Sequence, residues 1–354
     1  MNRNISFLQV FGILLVVLGH SPNEEGIPFL SKWIYSFHMP LFIFISGYLF
    51  YLTTKDICNV KLFDFIKKKF IRLILPYIVI SSIAYLPKVF LSKFAQRSID
   101  LSIGSYVHSL LYPWDNVIRF FWFLPTLFFI MIIVVILLKI TKNKLYIVFC
   151  FSIIFSFVVL NFIDIDVLNI NGIFNYMLFF CLGMMYCKYK ERLNEILRKN
   201  FSVIFILVFI LLTMNATTSL FDGISVTGSE TGKMKEVATN VEFVTYKLFY
   251  VVIAISGIIL SIILSKLYCK YNYTFLAHLD GKTFTIYLLS WFSQVFVRIV
   301  GYQILNLSMI YVVPVSFILG VYVPVMINIY VKNFILKYNK FRFLSIILGI
   351  NLKR

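Results

Sequence analysis

Charge is scarce in this chain, and negative charge is scarcest. Only 14% of its 354 residues are Asp, Glu, Lys or Arg, and Asp plus Glu number 15 against 33 Lys plus Arg. Water-soluble chains carry about 25% charged residues, so a solvated surface of ordinary density is excluded. Cysteine is sparse as well: Cys58, Cys187 and Cys269 fall in or beside basic segments, and Cys150 and Cys181 lie in apolar runs. No pair faces an oxidising compartment, so no disulfide is expected, and the spacing matches no zinc or haem pattern. Internal repeats and interdomain linkers are missing. So is the strict apolar–polar alternation of membrane β-strands, which excludes a barrel.

What fills the chain instead is apolar sequence, at 60% hydrophobic residues and a mean hydropathy of +0.90. About 20 apolar residues in a helix cross a bilayer core of about 30 Å. The sequence predicts ten such spans, near 5–19, 34–52, 70–91, 120–138, 145–162, 172–189, 201–218, 243–264, 284–300 and 310–331. Gly19-His20-Ser21-Pro22 after the first is not a small-x-small cleavage site, so that stretch reads as a span rather than a signal peptide. The expectation is an all-α polytopic membrane bundle forming a single domain over 1–354, with an outer loop at 215–242 and a cytoplasmic tail at 332–354. The outer loop reads equally as a lid or as a mobile connection.

Lys and Arg are retained on the cytoplasmic side. With ten spans, 24 of the 33 fall on the side holding both termini and 9 on the other. Both termini are therefore expected in the cytoplasm, and the +18 net charge needs no nucleic-acid partner, because it forms a fringe against anionic lipid. Abundant Ile, Lys, Asn, Phe and Tyr point to an AT-rich bacterial genome and a bacterial cytoplasmic membrane. Two phosphate-loop look-alikes fail: Gly228 to Lys233 has short glycine spacing with Met234 where Ser or Thr belongs, and Gly281-Lys282-Thr283 has Leu276 in place of the upstream glycine.

Ionisable residues in or beside a span are costly and point to function. His20 ends the first span on the outer side and His38 begins the second, followed by Met39-Pro40 and by Ser46-Gly47. Glu24 and Glu25 lie in the short connection between them, and a carboxylate beside an imidazole fixes its tautomer and raises its basicity. His20, His38, Glu24 and Glu25 are thus the candidate catalytic set. His108 and His278 lie in loops and read as surface residues. At the inner end of the third span, Lys67, Lys68 and Lys69 form a basic collar with Arg72 one turn further in, placed to grip a phosphate. Ser46, Tyr48 and Trp122 are oxyanion candidates, and Arg119 opens the fourth span beside Trp122, where the two line an acceptor cleft or, for Trp122, an interfacial aromatic belt.

Five blocks run in the order seen in the acyltransferase 3 family: Gly12 to His20, Phe37 to Tyr48, Lys69 to Tyr77, Phe121 to Leu127 and Gly281 to Ser290. The chain resembles a stand-alone member without an added extracytoplasmic esterase-like domain, and the first two blocks are the most diagnostic. The resemblance implies transfer of an acyl group, usually acetyl, from cytoplasmic acetyl-CoA to a hydroxyl of a surface glycan or its lipid-linked precursor. It puts the catalytic histidine at His20 and a donor-facing basic residue at Arg72, with Lys68 and Lys69 beside it, and its last block supplies Tyr287 and Ser290 as further acceptor or oxyanion candidates. The chain departs from the family at Gln9, where Arg or Lys is usual, and at Ser290, where His is usual. The implied partners are acyl-CoA as co-substrate, a surface glycan or lipid-linked oligosaccharide and membrane lipid, with no metal, no further cofactor, and room for a homo-oligomer. The competing expectation is a transporter or flippase of lipid-linked sugars, which requires polar groups at the bilayer midplane and inverted internal symmetry. A glycerolipid acyltransferase with His-x-x-x-x-Asp is mimicked by His20 to Glu25 only in spacing.

Overall fold

The computed structural model describes residues 3–22, 28–54, 57, 59–90, 102–157, 165–217 and 240–352. Glu24, Glu25 and most of the expected outer loop (218–239) lie outside the described residues. Every described regular element is helical. The elements are α1 (Arg3–Gly19), α2 (Pro28–Tyr35), α3 (His38–Thr53), α4 (Leu62–Lys69), α5 (Leu75–Phe90), α6 (Ile103–Leu111), α7 (Phe123–Ile140) and α8 (Leu145–Phe157). They continue with α9 (Ile170–Lys188), α10 (Lys190–Lys199), α11 (Phe201–Thr217), α12 (Asn240–Lys270), α13 (Thr283–Arg298), α14 (Met309–Lys337) and α15 (Phe343–Ile347).

Each of the ten expected spans lies mainly on helix over its described residues, but the helices are not equal. Seven segments are long and apolar enough to cross a membrane: Phe29–Thr53, Leu62–Pro87, Arg119–Ile140, Val167–Lys188, Val244–Lys270, Thr283–Ile304 and Met309–Lys337. The other three expected spans fall on the shorter helices α1 and α8, and on α11, which meets α10 at a 90° bend. Large apolar side chains stay exposed along α11 and α14, among them Val203, Phe209, Ile310 and Ile318. Such a surface is stable against lipid tails and would aggregate in water.

The chain divides into two compact units. The first comprises Met1–Gly12, Pro28–Ile66 and Thr126–Tyr273. Inside it α3 and α9 pack antiparallel at backbone contact. A Cβ on Gly47 would lie 2.0 Å from the Phe180 carbonyl oxygen, and one on Gly183 would lie 2.0 Å from that of Phe44. Apolar helices in lipid gain nothing from hiding from their solvent, so close van der Waals approach through small residues holds them together. Phe37 fills the space left by Gly257 on α12 in the same manner. Lys247, fully buried on α12, donates to the carbonyl of Ser156 in the last turn of α8 and lies over the Phe157 ring. A cation there satisfies an orphan carbonyl and opposes the negative end of the helix dipole.

The second unit comprises Ile13–Ile27, Lys67–Pro125 and Thr274–Arg354. Its frame is the antiparallel pair α13 and α14, matched at three levels. Asn328 donates to Thr285 at 2.7 Å, Gly320 faces Gln294, and Gly301 faces Val312. One departure from α-geometry bears on function. Pro76 lacks the N–H that would bond the Arg72 carbonyl four residues back, and Phe70–Ile74 widens into a π-turn closed by Leu75 N–H to the Phe70 carbonyl. The segment expected as a tail is structured through Leu352. Residues 332–337 complete α14, and the chain then turns back so that α15 packs beside α5 and the π-turn. There the Leu348 carbonyl accepts from Thr285 at 2.9 Å, and Gly349, at φ 64°, fits against the Phe284 ring.

Candidate functional site

The site is built where α1 ends. Pro22 lacks an amide proton and disfavours helical backbone in Ser21, so the helix stops after Gly19. Its last carbonyls then need donors from elsewhere. Val16 is satisfied by His20 N–H at 3.1 Å and Leu18 by Ser21 N–H at 3.2 Å. Val17 accepts both from the Ser21 hydroxyl at 2.7 Å and from the Gln294 amide at 2.7 Å. Gln294 also donates to Ser21 Oγ at 3.1 Å, and Arg298 reaches the carbonyls of His20 at 3.4 Å and Pro22 at 3.3 Å. Gln294 and Arg298 stand one turn apart on α13 and clamp the main chain on both sides of His20. Gly320 on α14 makes room, since a Cβ there would come within 2.8 Å of Val17 and 3.0 Å of Gln294.

The half-buried imidazole of His20 rests against Phe120, with ring centroids 4.8 Å apart. The Phe120 carbonyl accepts from the Tyr287 hydroxyl at 2.6 Å, and the Tyr287 ring stacks on Phe121 at 5.6 Å. Tyr287 therefore holds the wall that His20 leans on. Behind that wall, Tyr77 donates to the Leu110 carbonyl at 3.0 Å, and Asn116 bridges Tyr77, Ser81 and the amide of Ile118. Ser290 sits between Tyr287 and Gln294 on the same face of α13. Its hydroxyl is fully buried and has no hydrogen-bond partner among the described residues. A buried hydroxyl without a partner costs roughly 1–3 kcal/mol.

The remaining sequence candidates fall as follows. Trp122 is buried and stacks on Trp114 at 4.8 Å, so it is a packed residue of this unit rather than part of an exposed aromatic belt, while neighbouring Arg119 is exposed. Lys68 and Arg72 are exposed and Lys69 half-buried. His38, Ser46 and Tyr48 belong to the other compact unit. There His38 is buried with Nδ1 2.9 Å from the Ile34 carbonyl, which can only accept, so the ring proton is on Nδ1 and Nε2 is the free base. Tyr48 lines a cavity with the first turns of α1. His108 and His278 are on the surface, stacked on Tyr112 and Tyr322. Among the described residues no group of three His, Cys, Asp or Glu is arranged to hold a metal.

Gln294 and Arg298 were not among the sequence candidates, although Ser290, Gln294 and Arg298 form a polar stripe at four-residue spacing in an otherwise apolar helix. A profile described as an acyltransferase domain, that of the acyltransferase 3 family, matches residues 2–329. The chain belongs to the acyltransferase 3 family. No curated protein and no solved structure matches it. In this acyltransferase the histidine at the end of the first helix is thus fixed through its backbone by α13, and both lie in one compact unit.

Proposed function

We propose that the protein is a membrane-bound O-acyltransferase that moves acetyl from cytoplasmic acetyl-CoA to a hydroxyl of a cell-surface polysaccharide or its lipid-linked precursor. The observation that carries this is the clamped helix end at His20, in a chain of acyltransferase family. A sugar hydroxyl is a weak nucleophile at neutral pH and needs a base within hydrogen-bond reach. In direct transfer an imidazole nitrogen of His20 takes the hydroxyl proton as the oxygen forms a C–O bond to the thioester carbonyl. The C–S bond breaks, and the proton passes to the leaving thiolate. In the relay variant an imidazole nitrogen bonds to the thioester carbonyl carbon, the C–S bond breaks and the thiolate leaves with the proton of the other ring nitrogen. The hydroxyl oxygen then bonds to the acetyl carbon, the N–C bond breaks and the hydroxyl proton passes to the imidazole. The Ser290 hydroxyl is the candidate donor to the oxyanion, and Arg72 with Lys68 and Lys69 the candidate grip on the donor phosphates. With both termini inside, His20 faces outward and the basic residues inward, so the acyl group crosses the bundle.

The reading is tested by mass analysis of surface polysaccharide from cells with and without the protein, together with thiol release from acetyl-CoA by the purified chain. Loss of acetyl esters in the deficient cells and thiol release by the pure protein are expected; unchanged esters with no thiol release overturn it.

Arg298 acts in this scheme as a positioning residue. Arg298→Ala is expected to lower kcat about ten- to hundredfold, the cost of a displacement of about 1 Å in a catalytic group, with KM for acetyl-CoA unchanged. Arg298→Lys should recover part of the loss. An equal rise in KM, or no recovery with lysine, assigns Arg298 another role.

A further inference from the structure

The first compact unit holds a cavity, walled in part by polar side chains, to which the scheme above assigns no role. It is lined by Asn4 from the start of α1, Tyr48 from α3, Tyr186 from α9, Lys190 and Asn194 from α10, and Lys266 from α12. Both lysines line this one cavity, and Lys190 Nζ stands 6.0 Å from the Tyr48 ring centroid. Neither lysine has a carboxylate partner among the described residues, and no acidic side chain lines the cavity. This is unlike the surrounding basic fringe. Lys199 is exposed and paired with Glu195 at 2.9 Å, and exposed Lys188 and Lys270 lie over the rings of their chain neighbours Tyr189 and Tyr271. Lys190 and Lys266 are instead half-buried and turned to one space. Tyr186 donates to Asn194 Oδ1 at 2.9 Å, which aligns the Asn194 amide and leaves its N–H₂ as a donor.

Two like charges brought together out of bulk water repel unless an anion sits between them. We propose that this cavity binds a single phosphoryl group. Lysine is a point-charge partner for phosphate, and two lysines with the Asn194 amide and the Tyr48 hydroxyl match a dianion with several oxygens. The phosphoryl group is either free in solution or the head group of an anionic lipid at the membrane face where α1 begins. None of Lys68, Lys69 and Arg72 contributes to it.

The test uses the full-length chain in neutral detergent, with radiolabelled orthophosphate in equilibrium dialysis as one probe. The other is native mass spectrometry after addition of phosphatidic acid or phosphatidylcholine. Binding of orthophosphate that falls with added salt, weakens at least about tenfold in the Lys190→Ala/Lys266→Ala double variant and survives in the Lys190→Arg/Lys266→Arg variant supports a free ligand. Absence of orthophosphate binding, with lysine-dependent retention of phosphatidic acid over phosphatidylcholine, supports the lipid source. Equal binding of both probes by the wild type and the double alanine variant, or no binding of either, overturns the proposal. Should the double alanine variant not fold, Asn194→Asp keeps the acceptor for Tyr186 while placing a carboxylate against the lysines. It must abolish binding, and unchanged binding by Asn194→Asp is equally fatal. Repeating the titration in His20→Ala, where acyl transfer is removed, separates this site from the reaction: its affinity should not change.

Discussion

His20→Ala is expected to reduce acetyl transfer by at least about 10³-fold, while the protein still folds and still binds acetyl-CoA. A positioned general base contributes about 10²–10⁴ in rate, and 10³ corresponds to roughly 4 kcal/mol of barrier. A carrier role makes the loss complete. The substitution should be structurally mild, because Gln294 and Arg298 bind backbone carbonyls rather than the imidazole. The ring contact with Phe120 is lost while the backbone clamp is kept, so the melting temperature should stay within about 3 °C of wild type. Donor-only incubation with radiolabelled acetyl-CoA separates the two chemistries. A covalent label on the wild type that is absent from His20→Ala marks the relay, whereas direct transfer leaves both unlabelled. Turnover by His20→Ala within tenfold of wild type removes His20 from either role.

The sequence shows this site unevenly, and the reasons are physical. Gly19-His20-Ser21-Pro22 is a local stop signal, so the end of α1 and the exposure of a histidine there are readable from four residues. The clamp is not, because Gln294 and Val17 are 277 positions apart and no local rule pairs them. Its trace was the four-residue spacing of Ser290, Gln294 and Arg298, which only a bundle-facing stripe explains in an apolar helix. Ser46 and Tyr48 share a motif and were grouped on that ground. Residues two apart on a helix point to different sides, and Tyr48 turns to the lysine-lined cavity. The third span was expected to begin at Phe70, where hydropathy rises, yet the helix begins at Leu62. Helix geometry does not stop at a basic collar, and Lys67 to Lys69 continue it before Pro76 opens the π-turn around Arg72.

The largest stability loss is expected at the junction of α3 and α9. Gly47→Ala and Gly183→Ala each drive a methyl to 2.0 Å from a backbone carbonyl oxygen of the facing helix. A backbone cannot rotate aside as a side chain can, so the helices must part. Overpacking of this kind costs about 1–3 kcal/mol, and more when the obstacle is rigid. An apparent melting temperature lower by about 5 °C or more is expected for each variant, with acyl transfer reduced in proportion to folded protein. Gly104→Ala is the control. That glycine is exposed in α6, where a Cβ would meet Ser102 Oγ at an ordinary contact distance of 3.9 Å, and alanine favours the helix by roughly 0.5–1 kcal/mol. Because Gly47 and Gly183 face the same two backbones, a separation forced by one methyl already makes room for the other. The double variant should therefore melt above the temperature given by adding the two single losses. Strict additivity would mean that the two glycines relieve separate contacts, and wild-type melting in both single variants would rule out the close approach of α3 and α9 altogether.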